Sequence, residues 1–380
     1  MVRKTLNIDL NRVEGDLEFE LDVENGKVVD ARCIGVMYRG FEQIMIGRTP
    51  RDAAVITPRV CGICGTAHLY AATLALEQIW NVKVPPNATY IRNLCLLTEG
   101  IQNDIRQSFL MFLVDFCHDA YRSHPLYQDI MSAFEPFKGR HHLGALEQSR
   151  DAVGIVALFG GQWPHSSYML PGGVVGKPTI RKVIESRDII NKLTRWYESA
   201  VIGDSLDNWM TLTSADAYLA SLESDELKAQ SALGLFTRFS RSISLHETGF
   251  GTGNMLSFGA VGEPLNTATY ATKSGVYDAK SGQIQALDQS LIEEHVRYSW
   301  FRQYQGGRHP HKGETIPDYQ NESDRYTWAK APRYDGKVMQ TGPMAELVIS
   351  GDPLVSAFHL NEGASTCCAS FRVFDVSGIA

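Results

Sequence analysis

Two cysteines separated by two residues are the most chemically informative feature of the sequence. Cys61 and Cys64 enclose Gly62 and Ile63, and a short spacer that contains glycine lets both sulfur atoms turn toward one metal ion. A helical pattern begins directly after Cys64, and the dipole and free N–H groups of a helix N-terminus favour thiolate over thiol. Thiolates are soft ligands that suit nickel, iron or zinc. The spacing therefore indicates a metal site.

Two other interpretations of this pair stay open from spacing alone. A thioredoxin-like redox motif normally follows a strand in a βαβ unit, and that pattern is absent here. The pair could also be structural. A complete zinc site needs a second pair of ligands, and the adjacent Cys367 and Cys368 have poor geometry for chelating one ion. We expect Cys33, Cys95 and Cys117 to be small buried hydrophobic residues.

The elements that would position the cysteines follow from the periodicity of the chain. Residues 5–32 alternate between apolar and polar, and Glu24-Asn25-Gly26 supplies a turn, which predicts a β-hairpin. The spacing of apolar residues predicts four helices, at residues 66–80, 88–115, 143–158 and 178–202. Pro85-Pro86 should end the first of them. The second is apolar enough to be a central helix of the core.

The rest of the chain predicts irregular structure around these helices. Residues 245–290 are rich in Gly, Ser and Thr with short strand-like patches, and residues 304–335 show little periodicity. We therefore expect an α+β fold with a mainly helical core of long helices, a β-rich N-terminal flank and irregular insertions. All of it should form one domain over residues 1–380.

Composition limits the classes of function. The 380 residues are 44% hydrophobic and 21% charged, which is usual for a globular protein. The formal net charge of −7 argues against general nucleic-acid binding, which needs basic surface. Charges interrupt every apolar run of the N-terminus, so no signal peptide is predicted, and no apolar run reaches the length of about 18 residues that a membrane span needs. Seven cysteines are too few and too scattered for a disulfide framework.

Several motifs, in a consistent order, resemble the large subunit of [NiFe]-hydrogenases. The pattern Arg-x-Cys-Gly-x-Cys-x-x-x-His at residues 59–68 is that family's N-terminal signature, and the match is complete. Further similar elements lie at residues 11–15, 38–42, 171–173, 298–300, 330–334 and 342–343. The resemblance runs from about residue 5 to about residue 353 and is highly specific because the motifs keep the family's order.

The resemblance implies a role for each residue of the signature. In this family four thiolates hold nickel, and two of them bridge to an iron that carries CO and cyanide. Cys61 and Cys64 match two of the four, and Cys64 matches a bridging ligand. His68 matches a group that tunes the bridging sulfur, and Arg59 would anchor a backbone turn or a carboxylate without a chemical role.

Two carboxylates complete the site that the resemblance implies. Glu14 matches the glutamate that passes protons to and from the metals, a role that heterolytic cleavage of H2 requires. Glu42 matches a ligand of a structural Mg²⁺, an ion that prefers carboxylate oxygen.

An oxidoreductase acting on H2 is the function that the resemblance implies. Electrons would pass to an iron–sulfur small subunit, and maturation proteins would assemble the metal centre. Ile63 stands where ordinary hydrogenases carry valine. Together with residues 309–319, it resembles the hydrogen-sensing subclass, and this resemblance implies a cytoplasmic protein.

One family motif is absent from the sequence. The second signature, Asp-Pro-Cys-x-x-Cys-x-x-His, should supply the other two thiolates, but Asp352-Pro353 is followed by Leu354. We therefore expect a chain that is C-terminally incomplete relative to the family. It could be a truncated homologue, a maturation scaffold that carries the iron–dicyano–carbonyl unit, or half of a split enzyme whose missing cysteines come from a separate polypeptide. A non-metal interaction protein is the remaining alternative.

Overall fold

The computed structural model of the protein describes residues 3–10, 12–13, 15–245, 251–263, 266–321 and 324–361. The chain divides into two compact units, each built from two segments. The first unit is Met1–Asp52 with Asp288–Met339, and the second is Ala53–Leu287 with Gln340–Ala380. A single domain over residues 1–380 stays a prediction.

Strands and helices occur in separate runs along the chain, as expected of an α+β protein. Within the described residues the helices are α1 (Phe41–Met45), α2 (Ala53–Ile56), α3 (Gly65–Trp80), α4 (Pro86–Ile105), α5 (Tyr127–Phe134), α6 (Arg140–Gly160), α7 (Ile180–Trp196), α8 (Leu206–Trp209), α9 (Ala215–Ser224), α10 (Glu226–Gln230), α11 (Ala232–Ser242), α12 (Pro343–Ser350) and α13 (Pro353–Asn361). The strands are β1 (Arg3–Leu10), β2 (Leu17–Glu24), β3 (Lys27–Gly35), β4 (Met169–Leu170), β5 (Gly173–Val174), β6 (Met255–Phe258), β7 (Gly262–Glu263), β8 (Asn266–Tyr270), β9 (Ser274–Asp278), β10 (Gln283–Gln285), β11 (Ile292–His295) and β12 (Ala331–Tyr334). The predicted fold class is confirmed.

The first unit contains the predicted N-terminal hairpin. Strands β1, β2 and β3 form an antiparallel sheet in that order, and Glu24 pairs with Lys27 across a two-residue turn. Asn25 and Gly26 in this turn have φ angles of 51° and 77°, as a tight type I′ hairpin turn requires. Strands β11 and β12 pair in the same unit. Three half-buried aromatic residues of this unit, Tyr38, Trp300 and Trp328, cluster with the buried Phe301.

A charged residue, not an apolar one, is the most buried side chain of β2. Asp22 is 4% exposed, whereas the apolar residues of the strand are only half-buried. Its carboxylate accepts hydrogen bonds from Arg3 Nη2 at 2.6 Å and from Thr5 Oγ1 at 2.7 Å. The hydrogen bond from Arg3, supported by the one from Thr5, lowers the pKa of Asp22 to about 2. Flanking arginine side chains therefore cover this face of the sheet.

The second unit contains all four predicted helices, with changes at their ends. Helix α3 ends at Trp80, where Asn81 adopts a left-handed conformation, so Pro85 is not needed to stop it. Helix α4 ends at Ile105, and the chain continues as a π-helix (Arg106–Phe112). Residues spaced by four drift about 40° per step around an α-helix, and the wider π turn corrects that drift. It keeps Phe109 and Leu113, both fully buried, on the face of Ile105.

The buried side of α4 differs from the apolar stripe that the sequence suggests. Leu97 is 47% exposed, while Arg92, Glu99 and Gln102 are 2%, 3% and 1% exposed. These polar residues face α3, α6 and the β4–β5 turn, where they have hydrogen-bond partners. The apolar side of α4 instead lines a cavity of about 250 Å³ together with residues of α7. No helix in the described part of the chain is both long and apolar enough to cross a bilayer.

A buried histidine at the start of α6 makes the stability of the second unit pH-dependent. His141 is 6% exposed and donates a ring N–H to the carbonyl oxygen of Gln230 at 3.3 Å. Burial, with a contribution from the charge of Arg140, lowers the pKa of His141 from 6.5 to about 4.

We expect this histidine to cost stability in acid. Between pH 6.5 and 4 the unfolded chain binds a proton that the folded chain does not, so the free energy of unfolding falls as the pH falls. The loss attributable to His141 should be about 3 kcal/mol. Urea titrations at both pH values should show a smaller loss in His141→Gln, which keeps a neutral donor. An equal loss in the wild type and the variant would contradict this assignment.

Candidate metal centre

The structure places four of the predicted site residues in the second unit and one in the first. Arg59, Cys61, Cys64 and His68 lie at or next to the start of α3. Glu42 lies in α1 of the first unit. Glu14 is outside the described residues, as are Cys367 and Cys368.

The two cysteines of the signature form a tight turn held by the backbone. The amide N–H of Cys64 donates to Sγ of Cys61 at 3.3 Å. Both cysteines are free thiols; Cys61 is 5% exposed and Cys64 is half-buried. A sulfur atom that accepts a backbone N–H is held in a defined direction. This turn can present two sulfur ligands from a largely water-free position.

A buried carboxylate occupies the N-terminus of α3. Glu99, from α4, accepts the N–H of Thr66 at 2.8 Å and that of Ala67 at 3.4 Å. Our expectation that these N–H groups are free to favour thiolates is therefore wrong. Burial raises the pKa of the Glu99 carboxyl, although these hydrogen bonds and those from the Thr66 hydroxyl and the Trp163 indole oppose the shift.

A loop after α6 covers the other side of the cysteine turn. Trp163 donates its indole Nε1–H to Glu99 at 3.1 Å. Nδ1 of His165 lies 2.9 Å from the carbonyl oxygen of Pro58, which accepts its hydrogen. The opposite edge of the imidazole lies against Gly62, where an added Cβ would come within 3.8 to 3.9 Å of Cε1 and Nε2.

His68 and Arg59 occupy different environments. His68 is half-buried one helical turn beyond Cys64, and its N–H donates to the carbonyl of Cys64 at 3.4 Å. Its role in tuning the sulfur stays a prediction. Arg59 is exposed and its guanidinium donates to the carbonyl of Val55. That contact ties Arg59 to the preceding turn of the chain, as an anchoring residue would require.

Glu42 is exposed at the first turn of α1. It lines two cavities of the first unit, of about 390 and 340 Å³. Glu294 and Glu314 line the larger cavity with it, and Lys330 lines both. Because Nζ of Lys330 lies 2.9 Å from Glu294, one carboxylate is already neutralised by a cation. Carboxylate oxygens suit Mg²⁺, and the role of Glu42 as its ligand stays a prediction.

The donor atoms of the cysteine turn fit part of a nickel–iron group. Two soft thiols in one turn fit two of its sulfur ligands. Within the described part of the chain, no three His, Cys, Asp or Glu side chains come together as a metal site. These residues therefore fit half of a four-thiolate centre.

The other three cysteines in the described part of the chain differ from this pair in their surroundings. Cys95 is fully buried, as expected, and burial raises the pKa of its thiol to about 11. Cys117 is half-buried, and burial raises its pKa to about 11 as well. Cys33 is exposed on the sheet, so our expectation of a buried residue is wrong there.

Comparison with known proteins identifies the family. The model of the nickel-dependent hydrogenase family matches residues 39–118 and 231–355, just over half of the chain. This chain belongs to the nickel-dependent hydrogenase family. The first matched segment contains the cysteine turn, α3 and α4 together, so the family assignment covers the elements that build the candidate centre.

Relatives within the nickel-dependent hydrogenase family are large subunits. The periplasmic [NiFeSe] hydrogenase large subunit of Desulfomicrobium baculatum is 32% identical over 365 residues, covering 92% of this chain and 65% of its own length. The hydrogenase-2 large chain of Escherichia coli is 26% identical over 411 residues, covering 90% and 66%. This chain therefore spans just under two thirds of the length of these relatives.

A solved hydrogenase structure has the same fold. The Ni-Fe-Se hydrogenase from Desulfovibrio vulgaris Hildenborough in the reduced state superimposes with a TM-score of 0.77 at 30% identity. The match covers 99% of this chain and 78% of that one. The hydrogenase fold thus extends over both units of the chain.

Sequence reasoning missed Glu99, Trp163 and His165, whose hydrogen bonds surround the cysteine turn. A signal for Glu99 exists in the polar residues at helical spacing along α4 and the π-helix that continues it: Arg92, Glu99, Gln102 and Arg106. Charged residues on a helix that is expected to be central need partners, and that need points to a buried site.

Proposed function

We propose that this chain is the metal-carrying large subunit of a hydrogenase. The observation that carries the proposal is the Cys61–Cys64 turn at the N-terminus of α3, where the amide of Cys64 donates to the sulfur of Cys61, in a chain of the nickel-dependent hydrogenase family. When bound, the nickel–iron group, with CO and cyanide on iron, supplies the chemistry that interconverts H2 with two protons and two electrons. Cys61 and Cys64 hold the group, and the backbone of Cys64 orients the sulfur of Cys61.

Protons and electrons need routes away from such a site. We assign Glu14 as the proton acceptor from its place in the family motif. Electrons pass to an iron–sulfur small subunit, because seven scattered cysteines cannot build a cluster relay in this chain. The relatives' names, "large subunit" and "large chain", support the need for a smaller partner.

The apolar cavity between α4 and α7 supports the proposal that the substrate is a small uncharged molecule. Its lining includes Leu97, Ile101, Ile190 and Leu193, and its volume is about 250 Å³. An apolar gas such as H2 enters such a space without losing hydrogen bonds to water. Hydrogen sensing and a cytoplasmic location stay predictions from the sequence, and one relative is named as periplasmic.

Metal analysis tests the proposal. The full chain is purified, with any co-purifying partner, from a host that expresses the hydrogenase maturation proteins. Bound nickel and iron are then counted and the infrared bands of CO and cyanide recorded. We expect Cys64→Ala to lower the metal content at least about tenfold, because a lost thiolate removes a direct ligand. Cys33→Ala, which removes an exposed thiol of the first unit, is the matched control and should bind as the wild type does.

The outcomes separate the alternatives. Nickel, iron and infrared bands together support the hydrogenase. Iron with infrared bands but no nickel, in a chain inactive toward H2, indicates a maturation scaffold. Metal binding that is unchanged in Cys64→Ala would refute the proposed centre.

A further inference from the structure

We propose that Glu99 is a positioning residue that holds the Cys61–Cys64 turn by joining the first turn of α3 to the Trp163–Ser166 loop. This inference deepens the proposed function and rests on the metal role assigned to the two cysteines. Donors of Thr66, Ala67 and Trp163 already occupy the carboxylate of Glu99, so it acts through these residues and not as a ligand.

Both oxygen atoms of the Glu99 carboxylate are fully used. Oε1 accepts the backbone N–H groups of Thr66 and Ala67, at 2.8 and 3.4 Å. Oε2 accepts the Thr66 hydroxyl at 2.8 Å and the Trp163 indole at 3.1 Å. All four partners are donors and the residue is 3% exposed, so the ionised carboxylate is the form that satisfies every contact.

The helix that carries Cys64 depends on this carboxylate for its cap. Cys64 is the N-cap residue of α3, and its side chain makes no capping hydrogen bond. A helix start leaves several N–H groups without partners inside the helix, and here Glu99 takes those of Thr66 and Ala67. The fixed N–H groups lie two and three residues after Cys64, which fixes the direction in which the cysteine leaves the helix.

The Oε2 atom of Glu99 holds the loop after α6, which packs on the other side of the cysteine turn. Its bond to Trp163 fixes the start of the loop that carries His165. His165 in turn binds the carbonyl of Pro58 and lies against Gly62, between the two cysteines. One carboxylate therefore couples the residues that precede, divide and follow the pair of sulfur atoms.

Glu77, which belongs to α3 as the capped N–H groups do, offers a matched comparison for Glu99. It is a buried carboxylate, 7% exposed, and it accepts hydrogen bonds from Arg92 and from the amide of Gly172. It lies 13 residues beyond Cys64, near the C-terminal end of α3. Losing either carboxylate should destabilise the fold, but only loss of Glu99 should loosen the cysteine turn.

Phenylarsine oxide measures the geometry of the two thiols without nickel or iron. The arsenic atom binds both sulfur atoms of a suitable pair and releases water, so affinity depends on how well the pair is pre-organised. The reduced full-length chain is titrated with the reagent, and protection of Cys61 and Cys64 from alkylation is read in their common peptide by mass spectrometry. This readout excludes Cys367 and Cys368. Measurements are made below the melting transition of each variant.

We expect Glu99→Gln to weaken arsenical binding at Cys61 and Cys64 about tenfold or more, as removal of a group that orients a ligand does. Its amide cannot accept all four donors, so backbone hydrogen exchange at Thr66 and Ala67 should also accelerate. Trp163→Phe, which removes one donor, should give a smaller loss. Glu77→Gln should lower the melting temperature while arsenical binding stays at the wild-type level.

The inference is overturned if Glu99→Gln lowers stability but binds the arsenical as the wild type does, or if Glu77→Gln weakens binding as much. Should Glu99→Gln fail to fold, Thr66→Val and Trp163→Phe decide the question, because each removes one contact of the same carboxylate. Unchanged arsenical binding in both would refute the proposal. Failure of the hydrogenase assignment is a separate result, seen as unchanged metal content in Cys64→Ala.

Discussion

Replacing Arg92 by methionine should lower the free energy of unfolding by about 3–5 kcal/mol, the usual result of removing one partner from a buried ion pair. Arg92 is 2% exposed, and its guanidinium lies 2.8 and 3.2 Å from the two oxygens of Glu77. The same group donates to the carbonyl oxygens of Leu170 and Gly173. Methionine fills much of the space but leaves a buried carboxylate and two carbonyls without this donor.

The measurement is urea unfolding of Arg92→Met beside a surface control. Arg181→Met breaks an ion pair with Glu185 on α7, where the arginine side chain is 86% exposed, and should cost less than about 0.5 kcal/mol. Adding Glu77→Leu to Arg92→Met should recover part of the loss, because the unpaired charge is then gone. Equal losses in Arg92→Met and Arg181→Met would show that the buried pair contributes no more than a surface pair.

The Arg92–Glu77 pair shows that a family motif can be recognised in the sequence while the residues that hold it in place cannot. Pro171-Gly172-Gly173 was recognisable as a family element, and it forms the β4–β5 turn. The turn is held by Glu77 through the amide of Gly172 and by Arg92 through the carbonyl of Gly173. These partners lie about 80 and 95 residues away in the chain, and no local pattern reports contacts at such separations.

Local signals predicted the elements that they directly encode. The Asn25-Gly26 turn gave the hairpin its register, and the apolar periodicity after Cys64 predicted α3 to within a residue. The same reasoning failed for exposure at single positions. The apolar periodicity of α3 places Leu69, Leu76 and Ile79 on one face, but Ile79 is 72% exposed whereas Leu69 and Leu76 are buried. Periodicity locates a face, but the width of the covered area depends on neighbouring elements.

Short helices were missed although their starts can be read. Ser205, Ser214, Asp225 and Ser231 each cap a short helix between residues 206 and 242 by accepting a backbone N–H two or three residues on. Helices of four to eleven residues carry too few apolar repeats for a periodic signal. Capping residues were therefore the more informative pattern in this region.

The candidate site likewise contains residues that a local sequence pattern predicts and residues that only the folded structure reveals. Its ligands were predictable because Cys-x-x-Cys is a local pattern, and the structure brings Cys61 and Cys64 together in one turn. Glu99 was not predicted because its importance comes from donors on α3 and on the loop after α6. The proton-transfer role of Glu14 and the Mg²⁺ role of Glu42 depend on family resemblance and stay predictions.

Gly234 should tolerate no side chain, although it lies in a helix where alanine is normally the better residue. An alanine Cβ at this position would lie 1.9 Å from the carbonyl oxygen of Lys228 and 3.0 Å from that of Ala229. Both carbonyls belong to α10, which packs directly against the first turn of α11. Because these atoms are backbone, a rotamer change cannot relieve the overlap, and α10 must move.

Gly234→Ala should therefore lower the free energy of unfolding by about 3 kcal/mol, at the upper end of overpacking effects. The matched substitution is Gly100→Ala in α4, where the glycine is exposed and no atom lies within 4 Å of the added Cβ. There the higher helix propensity of alanine should raise the free energy of unfolding by about 0.5–1 kcal/mol. Chemical denaturation of the two variants should therefore show changes of opposite sign in the free energy of unfolding, although both carry the same Gly→Ala substitution. A Gly234→Ala protein as stable as the wild type would mean that α10 and α11 are farther apart than the structure places them.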